Sequence, residues 1–158
     1  MALIKKSALA SNDVFSAPYG NAWTEVFTFE TNASGVFLSS KTTALASGDV
    51  AAIGVLPAGL RLQDSLSKVS NAFALASNVK LGFVYADGVD DATVPQKDDY
   101  FNAALAIVTA GNYVNDNTAS RPVILPKKAY LIVTIGATGT SDLGVLDVVV
   151  NGCYKGID

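Results

Sequence analysis

Between residues 69 and 85 the odd positions read Val69, Asn71, Phe73, Leu75, Ser77, Val79, Leu81, Phe83 and Tyr85. Successive side chains of a strand point to opposite faces, so apolar residues at every second position mark a strand with one buried face. The polar pair Ser77-Asn78 divides the run into two strands, and Asp87-Gly88 closes it with turn chemistry. No segment carries a 3.6-residue apolar repeat over helical length, which argues against βαβ units.

The same alternation recurs along the chain. Trp23, Phe27 and Phe29 share one face of a strand beginning at Ala22, with Thr24, Thr28 and Glu30 on the other. Glu25 interrupts the apolar face and is expected near a strand end. A turn at 32–35 leads to a second short strand holding Val36 and Leu38, and Ser47-Gly48-Asp49 turns into the next. Residues 130–135 and 144–150 read as strong strands split by a turn at 137–141. Residues 100–109 fit a strand or a single helical turn, and β-branched Ile107, Val108 and Thr109 favour the strand. Two stretches read as loops: the Asp-rich 87–99 and the Asn-, Pro- and Thr-rich 111–128.

Leu56-Pro57-Ala58-Gly59 joins two of these strands. Proline's fixed φ suits the second position of a type I turn and glycine the fourth. Residues 50–55 before it are almost wholly apolar, as in a strand buried on both faces or lying at a packed edge. After it, Leu60 and Leu62 alternate with Arg61 and Gln63. The stretch reads as strand, corner, strand. About eight short strands with turns at close intervals predict an all-β sandwich or barrel spanning residues 21–158.

Catalytic patterns are poorly supplied. Ser65-Leu66-Ser67-Lys68 matches the Ser-x-x-Lys nucleophile motif, which needs a helix start and a Lys-Thr-Gly partner. The nearest approach to the latter is Lys41-Thr42-Thr43. The chain has no histidine, which removes the commonest general base and the usual zinc ligand. The Asp87–Asp99 stretch lacks regular calcium-loop spacing, and a solvated acidic loop is the simpler reading. Gly136, Gly139 and Gly144 lack the spacing of a phosphate loop. No metal, no cofactor and no catalysis are expected. Trp23, Phe27 and Phe29 suit either a core or a sugar-stacking platform, and alternate aromatics favour the core. Asn32-Ala33-Ser34 is a glycosylation sequon, of consequence only in a eukaryotic secretory protein.

Composition bears on partners. Of 158 residues only 16% are charged, against about 25% in ordinary soluble domains, and mean hydropathy is +0.34. With no apolar run long enough for a membrane helix, that surplus points to surface covered by another protein. The alternative is a tolerant β-domain rich in Ala, Ser and Thr. A net charge of −3 argues against nucleic acid, which requires a basic face. The single cysteine, Cys153, excludes an internal disulfide.

Residues 1–20 lack periodicity and are expected to form an irregular N-terminal arm. "MALIKKSALA" opens like a signal peptide, but the apolar run after Lys5-Lys6 is too short. Leu3, Ile4, Val14, Phe15 and Tyr19 are too scattered to form a core. The arm is therefore expected to order on a neighbouring protein, with Lys5 and Lys6 pairing with acidic surface there.

Several of these segments together resemble structural proteins of tailed-phage virions. They are "VLPAGLRLQDSLSKVSNAF" (55–73), "VKLGFVYADG" (79–88), "DDYFNAALAIVTAG" (98–111), "LPKKAYLIVTI" (125–135) and "GVLDVVVNGCY" (144–154). The sequence is most similar to head decoration, or cement, proteins of jelly-roll type, over about residues 22–154. The resemblance implies a jelly-roll-like antiparallel β-sandwich, in a protein that coats the outside of an assembled shell, bridges major capsid subunits and acts as a homodimer or homotrimer. It implies synthesis in the bacterial host cytoplasm. A carbohydrate-binding or receptor-binding β-domain of a tail or baseplate is the alternative, and a histidine-free hydrolase a third.

Overall fold

A computed structural model describes residues 3–5, 21–37, 42–73 and 78–154, the first three by their backbone. Among them are ten strands and no helix: β1 Leu3–Lys5, β2 Ala22–Thr31, β3 Val50–Leu56, β4 Leu60–Asn71, β5 Val79–Tyr85, β6 Lys97–Leu105, β7 Gly111–Val114, β8 Val123–Ile124, β9 Ala129–Ile135 and β10 Gly144–Tyr154. They form two sheets. The first has the order β1-β3-β9-β5-β6; the second runs β2-β10-β4-β7, with β8 also paired to β4. Every pairing is antiparallel except β1 on β3. Nearly every connection crosses between sheets, as in a jelly roll. The predicted all-β sandwich is the fold observed.

Alternation builds the core. Val79, Leu81, Phe83 and Tyr85 of β5, with Leu131, Val133 and Ile135 of β9, all face inward and are buried as expected. From the second sheet, Phe27, Phe29, Leu146, Val148 and Val150 meet them. Burying each such side chain stabilises the fold by roughly 1.5–3 kcal/mol. β3 is buried along its whole length. Its Val50 and Ala52 join Ile132 in a second, smaller cluster, against which Val84 and Tyr130 pack.

The Pro57 corner carries the chain from the first sheet to the second. Gly59 takes φ +78°, a conformation that favours glycine. Its amide donates to the Leu125 carbonyl (2.8 Å), and the Leu125 amide donates to the Leu60 carbonyl (2.9 Å). The corner is thus pinned to the segment after β8.

Several boundaries differ from expectation. β4 is one strand of 12 residues ending at Asn71, while Phe73 remains in the core with its amide bonded to Ile107. Residues 74–77 lie outside the described residues. β6 begins inside the expected acidic loop and ends before Ile107. The expected loop 111–128 contains β7 and β8, which add to β4 through only four and two residue pairs. Strands that short carry too little alternation to be read from sequence. Phe37 makes an isolated bridge to Thr31 rather than a strand, and Leu38 lies outside the described residues. Glu25 sits towards the start of β2, opposite Val150.

Candidate partner-binding surface

β4 changes face part-way along. Leu60 and Leu62 point into the core, and continued alternation would bury Asp64, Leu66 and Lys68. A register shift against β10 between Asn151 and Gly152 leaves Gln63 as an extra residue. Beyond this bulge Ser65, Ser67 and Val69 face inward, while Asp64, Leu66 and Lys68 face out. A one-residue offset moves every later side chain to the other face. It keeps two charges in water, where burying them unpaired would cost far more than exposing one leucine. It also settles Ser-x-x-Lys: Ser65 lies buried in a strand, with Lys68 on the opposite face.

Register then assembles an apolar row on the outer face of the second sheet. Val26 of β2 stands opposite Val149 of β10, Val149 opposite Leu66 of β4, and Leu66 opposite Val114 of β7. Val26 is 59% exposed, Leu66 40% and Val114 68%, and Val149 is half-buried. The next row on one side holds Thr28, Asp147, Lys68 and Asn112; on the other stand Thr24, Asn151 and Asp64. Thr28 Oγ1 donates to Asp147 Oδ1 (2.7 Å), and Thr24 Oγ1 to Asn151 Oδ1 (3.0 Å). A continuous apolar row between polar rows is the form of a surface that another protein covers.

Leu3, Ile4 and Lys5 form β1, whose backbone extends the first sheet beside Val50, Ala51 and Ala52. Lys6, Val14, Phe15 and Tyr19 lie outside the described residues. Sequence reasoning missed the row itself. A usable signal was present in Ser65-Leu66-Ser67, where the apolar residue sits between two polar ones.

The acidic loop turns its carboxylates on its own backbone. Asp87 Oδ1 accepts the Val89 amide (3.0 Å), Asp90 Oδ1 those of Asp91 (2.8 Å) and Gln96 (2.7 Å), and Asp91 Oδ1 those of Thr93 (2.8 Å) and Val94 (3.1 Å). Lys127 Nζ donates to Asp87 Oδ2 (2.7 Å) and to the Val89 carbonyl (2.6 Å), and lies 4.6 Å from the centre of the Tyr85 ring. The Lys127 bond, then the Val89 amide, hold the Asp87 carboxyl below the usual range; the Val94 and Thr93 amides do the same for Asp91. Burial, then the charges of Asp91, Asp90 and Asp87, push the Tyr85 hydroxyl up to about 12. No group of three metal-ligating side chains occurs among the described residues.

Beside this loop lies a cleft of about 360 Å³, with Phe83 and Tyr100 among its lining and Gln96, Lys97, Ser120 and Arg121 supplying polar groups. Lys97 Nζ donates to Ser120 Oγ (3.1 Å), and the Tyr100 hydroxyl to the Arg121 carbonyl (2.8 Å). Phe27 and Phe29 are core residues, and half-buried Trp23 packs against the core, its ring 6.3 Å from that of Phe27. They do not form an exposed stacking platform.

The architecture has counterparts among phage capsids. A chain in the capsid of Ralstonia phage GP4 superimposes with a TM-score of 0.66, covering 99% of this chain and 100% of that one, at 14% identity. A chain in the capsid asymmetric unit of cyanophage Pam1 gives a TM-score of 0.55 over 94% and 99%, also at 14% identity. What is shared is the fold, over 94% or more of each chain. No family model matches the sequence, and no curated protein does.

Proposed function

We propose that this chain is a structural, non-enzymatic virion protein that binds the outside of an assembled phage capsid and bridges major capsid subunits, stabilising the head. The observation that carries the reading is the end-to-end fold likeness to two chains of phage capsids. The exposed row of Val26, Leu66 and Val114 supplies apolar area for contact with another chain of the shell, a second copy of this one included. Bridging gains by multivalency, because once one contact is made the next is effectively intramolecular. The arm, residues 1–20, acts as a second contact through Leu3, Ile4, Lys5, Lys6, Phe15 and Tyr19. Co-sedimentation with heads lacking the protein tests the reading. Tight binding to assembled heads, weak binding to free capsid subunits and little loss in high salt are expected. Equal affinity for subunit and shell overturns the bridging mechanism.

The cleft beside Phe83 and Tyr100 favours a second reading, a carbohydrate- or receptor-binding β-domain of a tail or baseplate. Polar groups of Gln96, Lys97, Ser120 and Arg121 around a cleft suit the hydroxyls of a sugar. Saturable binding of host-surface oligosaccharide, abolished by substitution of the exposed Arg121→Ala, together with failure to bind heads, selects it.

A further inference from the structure

The outer face of the second sheet complements itself. Of the outward residues of β4, the three centred on the row are an acid, an apolar residue and a base, Asp64, Leu66 and Lys68; Arg61 and Gln63 lie beyond them at one end and Ser70 and Asn71 at the other. Lys68 makes no ion pair among the described residues. We propose that a second copy of this chain covers the row of Val26, Val149, Leu66 and Val114, face to face, about a two-fold axis running along the row.

The charges choose this orientation. A rotation about the row reverses the strand direction and leaves each strand above its own counterpart. Asp64 of one copy then stands over Lys68 of the other, and Lys68 over Asp64, on either side of Leu66. A face-to-face arrangement with strands parallel would set acid over acid and base over base, which is repulsive. Sheets packed face to face lie about 10 Å apart, a gap that a leucine from each side fills and a lysine stem spans. The interface is isologous, as closed two-fold dimers require. The inference deepens the docking reading of this face, and it stands or falls without a capsid.

Sedimentation velocity and light scattering on the full chain across the micromolar range test it. A dimer is expected. Leu66→Glu should leave a folded monomer with unchanged circular dichroism, because residue 66 is outside the core, and its melting temperature should no longer rise with protein concentration as the dimer's does. Asp64→Lys should raise the dimer dissociation constant at least tenfold by creating two like-charge contacts. The double reversal Asp64→Lys/Lys68→Asp should restore the dimer, which a merely structural role of either residue would not do. In a Cys153→Ser background, Leu66→Cys should be joined to its own copy by a short bis-maleimide. A monomer at every concentration, a trimer, a dimer indifferent to Leu66→Glu, or a double reversal without recovery overturns the proposal. A head-binding chain that stays monomeric sinks this inference alone. A dimer that never binds heads sinks the capsid reading alone.

Discussion

The Phe27 ring on β2 occupies the space that a side chain at Gly54 on β3 would need, so the two sheets meet here with no β-carbon between ring and backbone. Gly54 follows a register shift in β3, after Ala52. Gly54→Val should therefore destabilise the protein by about 1–3 kcal/mol through overpacking. For a chain of this size each kcal/mol lowers the melting temperature by about 2–4 °C. Calorimetry of Gly54→Val, Phe27→Leu and the double variant should give a coupling of about 0.5–3 kcal/mol, the smaller ring relieving part of the clash.

Ser65 and Ser67 are buried, and their hydroxyls have no hydrogen-bond partner among the described residues. A buried hydroxyl without a partner costs about 1–3 kcal/mol. Ser67→Ala should raise stability by roughly 1 kcal/mol, read as a later urea midpoint with unchanged slope. Leu66→Ser, one residue away but outside, should leave the midpoint almost unmoved at dilutions where the chain is monomeric.

Tyr85 should give the protein an alkaline limit. Its hydroxyl donates to the Val94 carbonyl (2.5 Å), and its pKa is raised from the ordinary 10.0 to about 12. The unfolded chain releases this proton more readily than the folded one. The stabilising contribution is therefore complete below pH 10 and is lost between about pH 10 and 12. Ultraviolet titration should find a late-ionising tyrosine, and Tyr85→Phe should flatten the stability profile across that window.

The acidic loop should be indifferent to calcium. Its carboxylates already accept backbone amides, so millimolar calcium should leave the melting temperature unchanged; a rise of many degrees would reveal a site. Lys127→Ala should move the Asp87 carboxyl back up towards its ordinary value, followed by NMR titration. The depressed pKa of Asp87 contributes stability above about pH 4 that is lost as pH falls through the folded value. The variant should lose less on acidification.

Deleting residues 1–5 removes β1 and leaves the edge of β3 open. Three residue pairs join the two strands. At about 0.5–1.5 kcal/mol per net hydrogen bond, the melting temperature should fall by several degrees without loss of the sandwich. If the arm also serves as a capsid contact, deletion of residues 1–20 lowers head occupancy further in a co-sedimentation assay.

Much of the sandwich was legible because its longer strands alternate cleanly. Val79, Leu81, Phe83 and Tyr85 share a face in sequence and in the fold, as do Leu131, Val133 and Ile135. The corner at Pro57 announced itself through proline and glycine chemistry. β7 and β8 did not, because strands of four and two residues are held by pairing with β4 rather than by a pattern of their own. The Asp64–Lys68 segment was read without its bulge, and no residue there has a backbone preference strong enough to mark one.

The sequence by itself determined that the chain forms strands, which of the longer ones bury which side, and that no histidine-based chemistry is present. Only the tertiary structure decided what faces outward together. Val26, Leu66, Val114 and Val149 are scattered along the chain, yet they form one row because hydrogen-bond register sets them side by side. Lateral neighbours in a sheet depend on strand order and on every bulge between them. Both are set by how two whole sheets close over a common core, where burying Val69 and leaving Lys68 in water costs less than the reverse.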